Sequence, residues 1–196
     1  MYLQPNLCTL IKKITPYFLP LVFFLVASSN SSQAAHLIGG EVSYTCQGNN
    51  LYTVSLRIYR DCAGGGAQFD QTARVAIYDI NNALIRTLSI PRGNIVSLNN
   101  TLTSDPCVTV PPNLCVEYAD YVDTVTLSPI LGGYTLVHQR CCRNSIIGNV
   151  NNPGSLGNTY SIRIPSMDTT CNSSPQILSP PDNVLCLNRP ARVELK

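Results

Sequence analysis

Apolar and polar residues alternate with a period of two along much of the chain. Segment 51–60 is the clearest case, because its apolar and polar side chains fall on opposite faces. The apolar face carries Tyr52, Val54, Leu56 and Ile58, and the polar face carries Thr53, Ser55 and Arg57. A period of two is that of a β-strand with one face in a core and the other in water. The pattern therefore predicts a half-buried strand in this segment.

Other segments have the same character. Seven of them are rich in β-branched and aromatic residues: 41–46, 74–79, 83–89, 95–98, 116–127, 133–140 and 159–165. Clusters of Gly, Asn and Pro separate them, at 47–50, 64–66, 80–82, 91–93, 111–112, 132–133 and 151–154. These residue types suit the backbone angles of tight turns. We find no amphipathic helix, so the pattern predicts an all-β fold, an immunoglobulin-like antiparallel β-sandwich with disulfides and a Pro-rich C-terminal tail.

Composition divides the chain into three parts. Residues 1–35 join Lys12 and Lys13 to a short apolar run and small residues, as in a signal peptide cleaved after Ala34 or Ala35. Residues 36–170 are predicted to form the β-sandwich domain. Residues 171–196 are rich in proline and predict a disulfide-tethered tail or linker. An uncleaved leader that acts as an anchor is the alternative, although its apolar run is short for a bilayer.

Charge limits the class of partner. The chain has thirteen basic and eleven acidic residues, and loss of Lys12 and Lys13 with the leader leaves eleven of each. A net charge of zero without a basic stripe argues against nucleic acid and against an anionic membrane surface as partner. With the leader removed, no stable membrane insertion is expected.

The cysteines indicate an oxidising compartment. Cys8 lies in the leader, and the eight others form an even set: Cys46, Cys62, Cys107, Cys115, Cys141, Cys142, Cys171 and Cys186. Four disulfides are expected, and the sequence leaves about a hundred pairings open. Local closures that fit the spacing are 46 with 62, 107 with 115, and 171 with 186. Neighbouring strand residues point to opposite faces, so a bond between Cys141 and Cys142 is disfavoured.

Several phrases of the sequence are specific. They are HLIGGEVSYTC (36–46), LRIYRDC (56–62), GGYTLVHQRCCRN (132–144), Ile164-Pro165 and CNSSP (171–175). Together they resemble the amino-terminal region of large surface proteins from gliding, Bacteroidetes-type bacteria. The resemblance implies a long protein with immunoglobulin-like or related repeats after this region. It also implies a terminal sorting domain associated with gliding motility and type IX secretion.

The chain departs from that pattern after Cys186. The resemblance implies a continuation through an aromatic and acidic stretch into further domains, whereas this chain closes at Lys196. Two expectations follow from the difference. The chain is either a fragment of a longer protein or, without a sorting domain, a protein retained in the periplasm.

These observations predict a secreted or cell-surface module with a structural, adhesive or binding role and without catalysis. The expected partner is a cell-surface protein or a glycan, and no cofactor is predicted. Exposed tyrosines, including Tyr118 and Tyr121, would supply contact area together with Asn-rich loops.

Metal chemistry gives two alternatives. Cleavage after Ala35 would make His36 the first residue, and His36 with His138 would resemble the histidine brace of a copper-dependent polysaccharide oxidase. Calcium is the second alternative and would use Asp70, Asp79, Asp120 and Asp123, whose spacing fits no EF-hand. Zinc has little support because no Cys-x-x-Cys pair occurs. A serine hydrolase has none, because the chain lacks a Gly-x-Ser-x-Gly turn.

Overall fold

The computed structural model describes residues 37–63, 67–98, 109, 112–144, 147–166 and 171–177. The predicted signal peptide lies outside these residues. Within them the chain forms seven strands: β1 Leu37–Gly48, β2 Leu51–Asp61, β3 Thr72–Tyr78, β4 Leu84–Ser97, β5 Val116–Thr126, β6 Tyr134–Cys141 and β7 Gly157–Ile164. A short 3-10 turn, Pro153–Ser155, precedes β7. All the strand pairs are antiparallel, so the predicted all-β architecture is confirmed.

The strands follow the order β1-β2-β5-β4-β3-β6-β7 in one sheet. Strand β4 joins the two halves of this sheet, because residues 84–91 pair with β3 and residues 92–97 pair with β5. The sequence predicted two strands here with a turn at 91–93. One bent strand is found instead, with an irregularity between Arg92 and Ile95. Proline and glycine often mark such bends in strands as well as turns between them.

The sheet nearly closes on itself, because its edge strands β1 and β7 lie against each other. Gly40 of β1 packs under the ring of Tyr160 of β7, and an added Cβ at Gly40 would lie 2.8 Å from that ring. Leu37 also forms a parallel bridge with Arg143, just beyond β6. The result is close to a barrel, and the predicted immunoglobulin-like sandwich is not confirmed.

Inward-facing residues of the strands fill the interior. In β2, every second residue from Tyr52 to Arg60 is buried, as the alternation predicted. The core also includes side chains from β1, β3, β4, β5, β6 and β7, such as Tyr44, Val75, Ile90, Tyr121, Leu136 and Ile164. A fully buried side chain of this size contributes about 1.5–3 kcal/mol. The interior is therefore largely apolar, although it also includes buried polar residues such as Arg60 and His138.

Asparagine and glycine supply the left-handed backbone at the hairpins. Gly48, Asn49 and Asn50 have φ of 87°, 50° and 61° in the turn between β1 and β2. Asn82 has φ of 61° in the turn between β3 and β4, where the Asp79 carboxylate accepts hydrogen bonds from the next backbone amides. The predicted turns at 47–50 and 80–82 are thus confirmed, because these residues tolerate such angles better than β-branched ones.

Candidate functional site

The outer face of β1, β2 and β5 carries a row of charged residues. Glu41, Arg57 and Asp120 occupy neighbouring positions on the three strands, because Glu41 is opposite Arg57 and Arg57 is opposite Asp120. Ser43, Ser55 and Val122 form the adjacent row by the same register. The alternation that buries Leu56 and Ile58 places these side chains outside, so the core pattern also builds this surface.

Arg57 is held firmly within the row. Its Nε and Nη2 donate to the two carboxylate oxygens of Asp120 at 2.7 and 2.9 Å, which is bidentate geometry. Its guanidinium carbon lies 4.1 Å from the centre of the Tyr118 ring. The hydrogen bond to Asp120 is the main cause that raises the pKa of Arg57, so the group stays cationic. Arg57 is therefore oriented before any ligand arrives.

Glu41 differs from Asp120, because no described cation lies within ion-pair distance of its carboxylate. Its nearest polar partner is the Tyr59 hydroxyl, which donates to Oε1 at 3.3 Å. Partial burial raises the pKa of Glu41, and the nearby charge of Arg57 only partly offsets that rise. Glu41 thus keeps hydrogen-bond acceptors that no group in the described part of the chain fills.

A C-terminal segment, the strap (residues 171–177), binds the end of β1 at Tyr44 to Cys46. Cys171 is bonded to Cys46. Ser174 and Tyr44 exchange backbone and hydroxyl hydrogen bonds of 2.9–3.1 Å, and Ser173 Oγ accepts from the Cys46 amide at 3.0 Å. Gln176 Nε2 donates to Thr45 Oγ1 at 2.7 Å. The strap covers a strand edge that would otherwise expose unpaired backbone groups.

The strap and the charged row enclose a polar cleft of about 160 Å³. The lining residues are Glu41, Ser43, Ser55, Arg57, Asp120 and Val122 from the strands, and Gln176 and Ile177 from the strap. The floor is therefore formed by three paired strands, and one wall is tied to the barrel by a disulfide. Such a cleft is formed without any ligand.

A wider depression of about 530 Å³ lies on the opposite half of the sheet. Its lining comes from β3, β4, β6 and the turn after β3, and includes Arg74, Tyr78, Thr135 and Gln139. Among the described residues, none from the strap contributes to it. It offers a control surface for experiments on the cleft.

The disulfides differ from the expected pairing. Cys46 is bonded to Cys171, and Cys62 is bonded to Cys115. None of the three predicted local closures is therefore correct. The strap runs antiparallel to the end of β1, and this tertiary arrangement brings Cys171 to Cys46 across 125 residues. Cys107 and Cys186 lie outside the described residues.

Cys141 and Cys142 are bonded to each other, so the prediction against this bond is wrong. Strand β6 ends at Cys141, and Cys142 is already outside it. The alternation of strand faces therefore does not apply to this pair. The peptide bond between them is cis, and their Cα atoms are 3.2 Å apart.

His138 is buried rather than available on the surface. Its Nδ1 lies 2.9 Å from the carbonyl oxygen of Arg74, which requires a proton on that nitrogen. The imidazole stacks near the Tyr160 ring, and burial lowers the pKa of His138. This position does not suit the second ligand of a surface copper brace. His36, the other proposed ligand, lies outside the described residues.

The four aspartates of the calcium alternative are not brought together. Asp70 pairs with Arg140 at 2.9 Å, Asp120 pairs with Arg57, and Asp79 and Asp123 bond to nearby backbone amides. In the part of the chain that the structure describes, no group of three or more His, Cys, Asp or Glu side chains is arranged to hold a metal.

The two tyrosines proposed as contact residues have different surroundings in the structure. Tyr121 is buried, and its hydroxyl donates to the Asp70 carbonyl at 2.8 Å, so its predicted exposure is wrong. Tyr118 lies on the outer face, where Tyr59 and Arg57 pack against its ring. Tyr121 follows the inward phase of β5, which the sequence alternation could have indicated.

The specific sequence phrases have structural roles around β1. Asn144, after the paired cysteines, donates its backbone amide to Leu37 at the start of β1, and the strap that begins at Cys171 binds the end of β1. Glu41 and Arg57 lie inside two of the phrases, yet sequence reasoning did not select them. The sequence feature that could have identified them is a pair of opposite charges on the polar faces of two neighbouring predicted strands.

Comparisons with models of protein families, with curated proteins and with solved structures give no match to this chain. The resemblance to surface proteins of gliding bacteria therefore stays a prediction. The described residues contain no helix that is both long and apolar enough to cross a membrane.

Proposed function

We propose that this protein is an exported, non-catalytic binding module of the cell surface or periplasm. The observation that carries the proposal is the cleft between the strap and the outer face of β1, β2 and β5. Its floor is a paired sheet, its wall is tethered by a disulfide, most of its lining is polar, and its acceptors at Glu41 are not filled by the described protein groups. Pre-formed sites of this kind suit recognition, because little ordering is needed when a ligand binds.

The disulfides support an extracellular role. Two of them join positions 125 and 53 residues apart, and both connect parts of the barrel that meet only after folding. Such bonds persist in oxidising compartments and are rare in the cytosol. The predicted signal peptide, with cleavage after Ala34 or Ala35, would supply the route of export. The resemblance to gliding-associated surface proteins supports the same location.

The absence of a catalytic role is also a proposal. Two side chains of types that often take part in catalysis form structural contacts here, since Arg140 pairs with Asp70 and His138 bonds to the Arg74 carbonyl. Glu41 and Arg57 could orient a ligand. In the cleft, no described nucleophile lies in a hydrogen-bonded pair with a general base, the arrangement that acyl transfer commonly uses.

The test uses the full chain, expressed with its leader in a bacterium with two membranes and purified from the exported fraction. Labelled protein should bind saturably to cell surfaces, and the bound material should be recovered chemically unchanged. Ser43→Tyr should abolish binding by filling the cleft, whereas Thr135→Tyr on the opposite depression should have no effect. Retention in the cytosol, turnover of the ligand or equal binding by both variants would overturn the proposal.

A further inference from the structure

We propose that the cleft binds one ring of a neutral saccharide, an inference that rests on the proposed binding function. Glu41 and Asp120 are anionic, Arg57 is cationic, and all three line the same cleft. Arg57 and Asp120 neutralise each other as a bidentate pair, so the Glu41 carboxylate is the charge that a ligand meets, and it would repel an anion. The arrangement therefore disfavours an anionic ligand and favours one that donates hydrogen bonds to Glu41.

The hydrogen-bonding groups narrow the choice further. The two bonds to Asp120 use two of the five N–H donors of Arg57. Among the described residues, Tyr59 supplies one bond to Glu41, whose carboxylate can accept more. Ser43 and Ser55 add hydroxyl groups that both donate and accept. A ligand must then offer donors and acceptors side by side. The hydroxyl groups of a sugar ring do so at every carbon that carries one.

Size and shape agree with one ring. A volume of about 160 Å³ corresponds to roughly five water molecules, which is the scale of a single hexose unit. Val122 and Ile177 supply apolar walls for the C–H groups of the ring, while the serines and charged residues face its hydroxyls. A longer glycan would continue from the cleft into solvent.

A peptide is the main neutral alternative, and the strap argues against it. Extended peptides commonly bind by adding a strand to a free sheet edge. At this cleft the neighbouring edge of β1 is already bonded to Ser173 and Ser174. The backbone groups of Tyr44 and the amide of Cys46, which a peptide added at this edge would use, are therefore occupied.

The experiment titrates the exported, oxidised protein with a set of neutral hexasaccharides, including β-glucan, mannan and chitin fragments, by calorimetry. Binding of at least one of them is expected. Its affinity should not change between about 0.05 M and about 0.5 M salt, because no net charge is recognised. Glu41→Gln should weaken binding about tenfold to a hundredfold through loss of a charged acceptor. The control Gln139→Ala, in the opposite depression, should bind as the native protein does.

The outcomes separate this inference from the function on which it rests. Saccharide binding that is unaffected by Glu41→Gln would overturn the inference. So would binding of hexalysine that Ser43→Tyr removes and salt weakens, although the proposed binding function would then stand. If neither saccharides, hexalysine nor cell surfaces bind the native protein, the proposed function itself fails.

Discussion

The Cys46–Cys171 disulfide should stabilise the protein far more than the Cys141–Cys142 disulfide. The perturbation is a pair of double variants, Cys46→Ser with Cys171→Ser and Cys141→Ser with Cys142→Ser. Cys46 and Cys171 are 125 residues apart. The Cys62–Cys115 bridge already closes 53 residues of that loop, so the loop that the first bridge adds has an effective length of about 125 − 53 = 72 residues. Loop-closure entropy then gives about 4 kcal/mol for the first pair.

The same relation gives only about 1 kcal/mol for the second pair, because Cys141 and Cys142 are adjacent and their loop barely restricts the unfolded chain. For a chain of this size, 4 kcal/mol corresponds to a fall in Tm of roughly 8–16 °C. The assay is guanidinium unfolding of each variant, followed by circular dichroism in the absence of reductant. Thiol titration verifies that the other bridges have formed.

A third variant, Ser174→Ala, separates the bridge from the hydrogen bonds of the strap. It removes the side-chain bonds to Tyr44 but keeps the disulfide, so a loss of about 1–3 kcal/mol is expected. Equal losses in the two double variants would refute the loop-entropy reasoning. A larger loss in Ser174→Ala than in the variant without Cys46 and Cys171 would show that hydrogen bonds hold the strap.

Three further predictions concern single residues. Gly133→Ala should destabilise the protein by about 3–5 kcal/mol, because φ is +70° and a Cβ would collide with the Ile164 carbonyl. Gly48→Ala, at φ +87° with open space around it, should cost only about 1–2 kcal/mol. Urea unfolding measures both variants, and equal losses of stability in the two would contradict this account. Burial lowers the pKa of His138, so the unfolded chain takes up a proton at this residue more readily than the folded protein does. The free energy of unfolding should therefore be highest above pH 6.5, the ordinary pKa of histidine, and should decline as the pH falls below that value. His138→Phe should flatten that dependence in denaturation curves taken across the pH range, and an unchanged slope would exclude His138 as its source. Burial raises the pKa of Glu41, so the charged carboxylate destabilises the folded protein as the pH rises above about 4.5. Glu41→Gln should therefore raise the unfolding midpoint at neutral pH. A lower midpoint would indicate that a cation pairs with Glu41.

Local patterns predicted the strands well where core burial alone controls them. The β2 prediction matches to within one residue at its end, because its alternation continues without interruption. Strand β4 was divided wrongly at Pro91 and Gly93, since the sequence cannot tell a bend within a strand from a turn between strands. The distinction depends on whether the next residues find a pairing partner, and here β5 provides it.

The candidate site was harder to predict from the sequence than the strands were. Glu41, Arg57 and Asp120 are far apart along the chain, and only the register of three strands puts them in one row. The strap was expected to be tethered, but the local pairing that fitted the spacing, Cys171 with Cys186, was wrong. Tethering to Cys46 rather than Cys186 is what makes it a wall of the cleft.

By itself, the sequence determined the all-β class and the alternation of buried and outward residues. Turns and strands depend on near neighbours in the chain, and their preferences are written in short segments. The tertiary structure alone decided the near closure of the barrel, the disulfide partners and the cleft. Each of these depends on contacts between residues far apart in the chain, such as Gly40 with Tyr160 and Cys46 with Cys171. Such contacts follow from how the whole sheet bends and pairs, which no local pattern specifies.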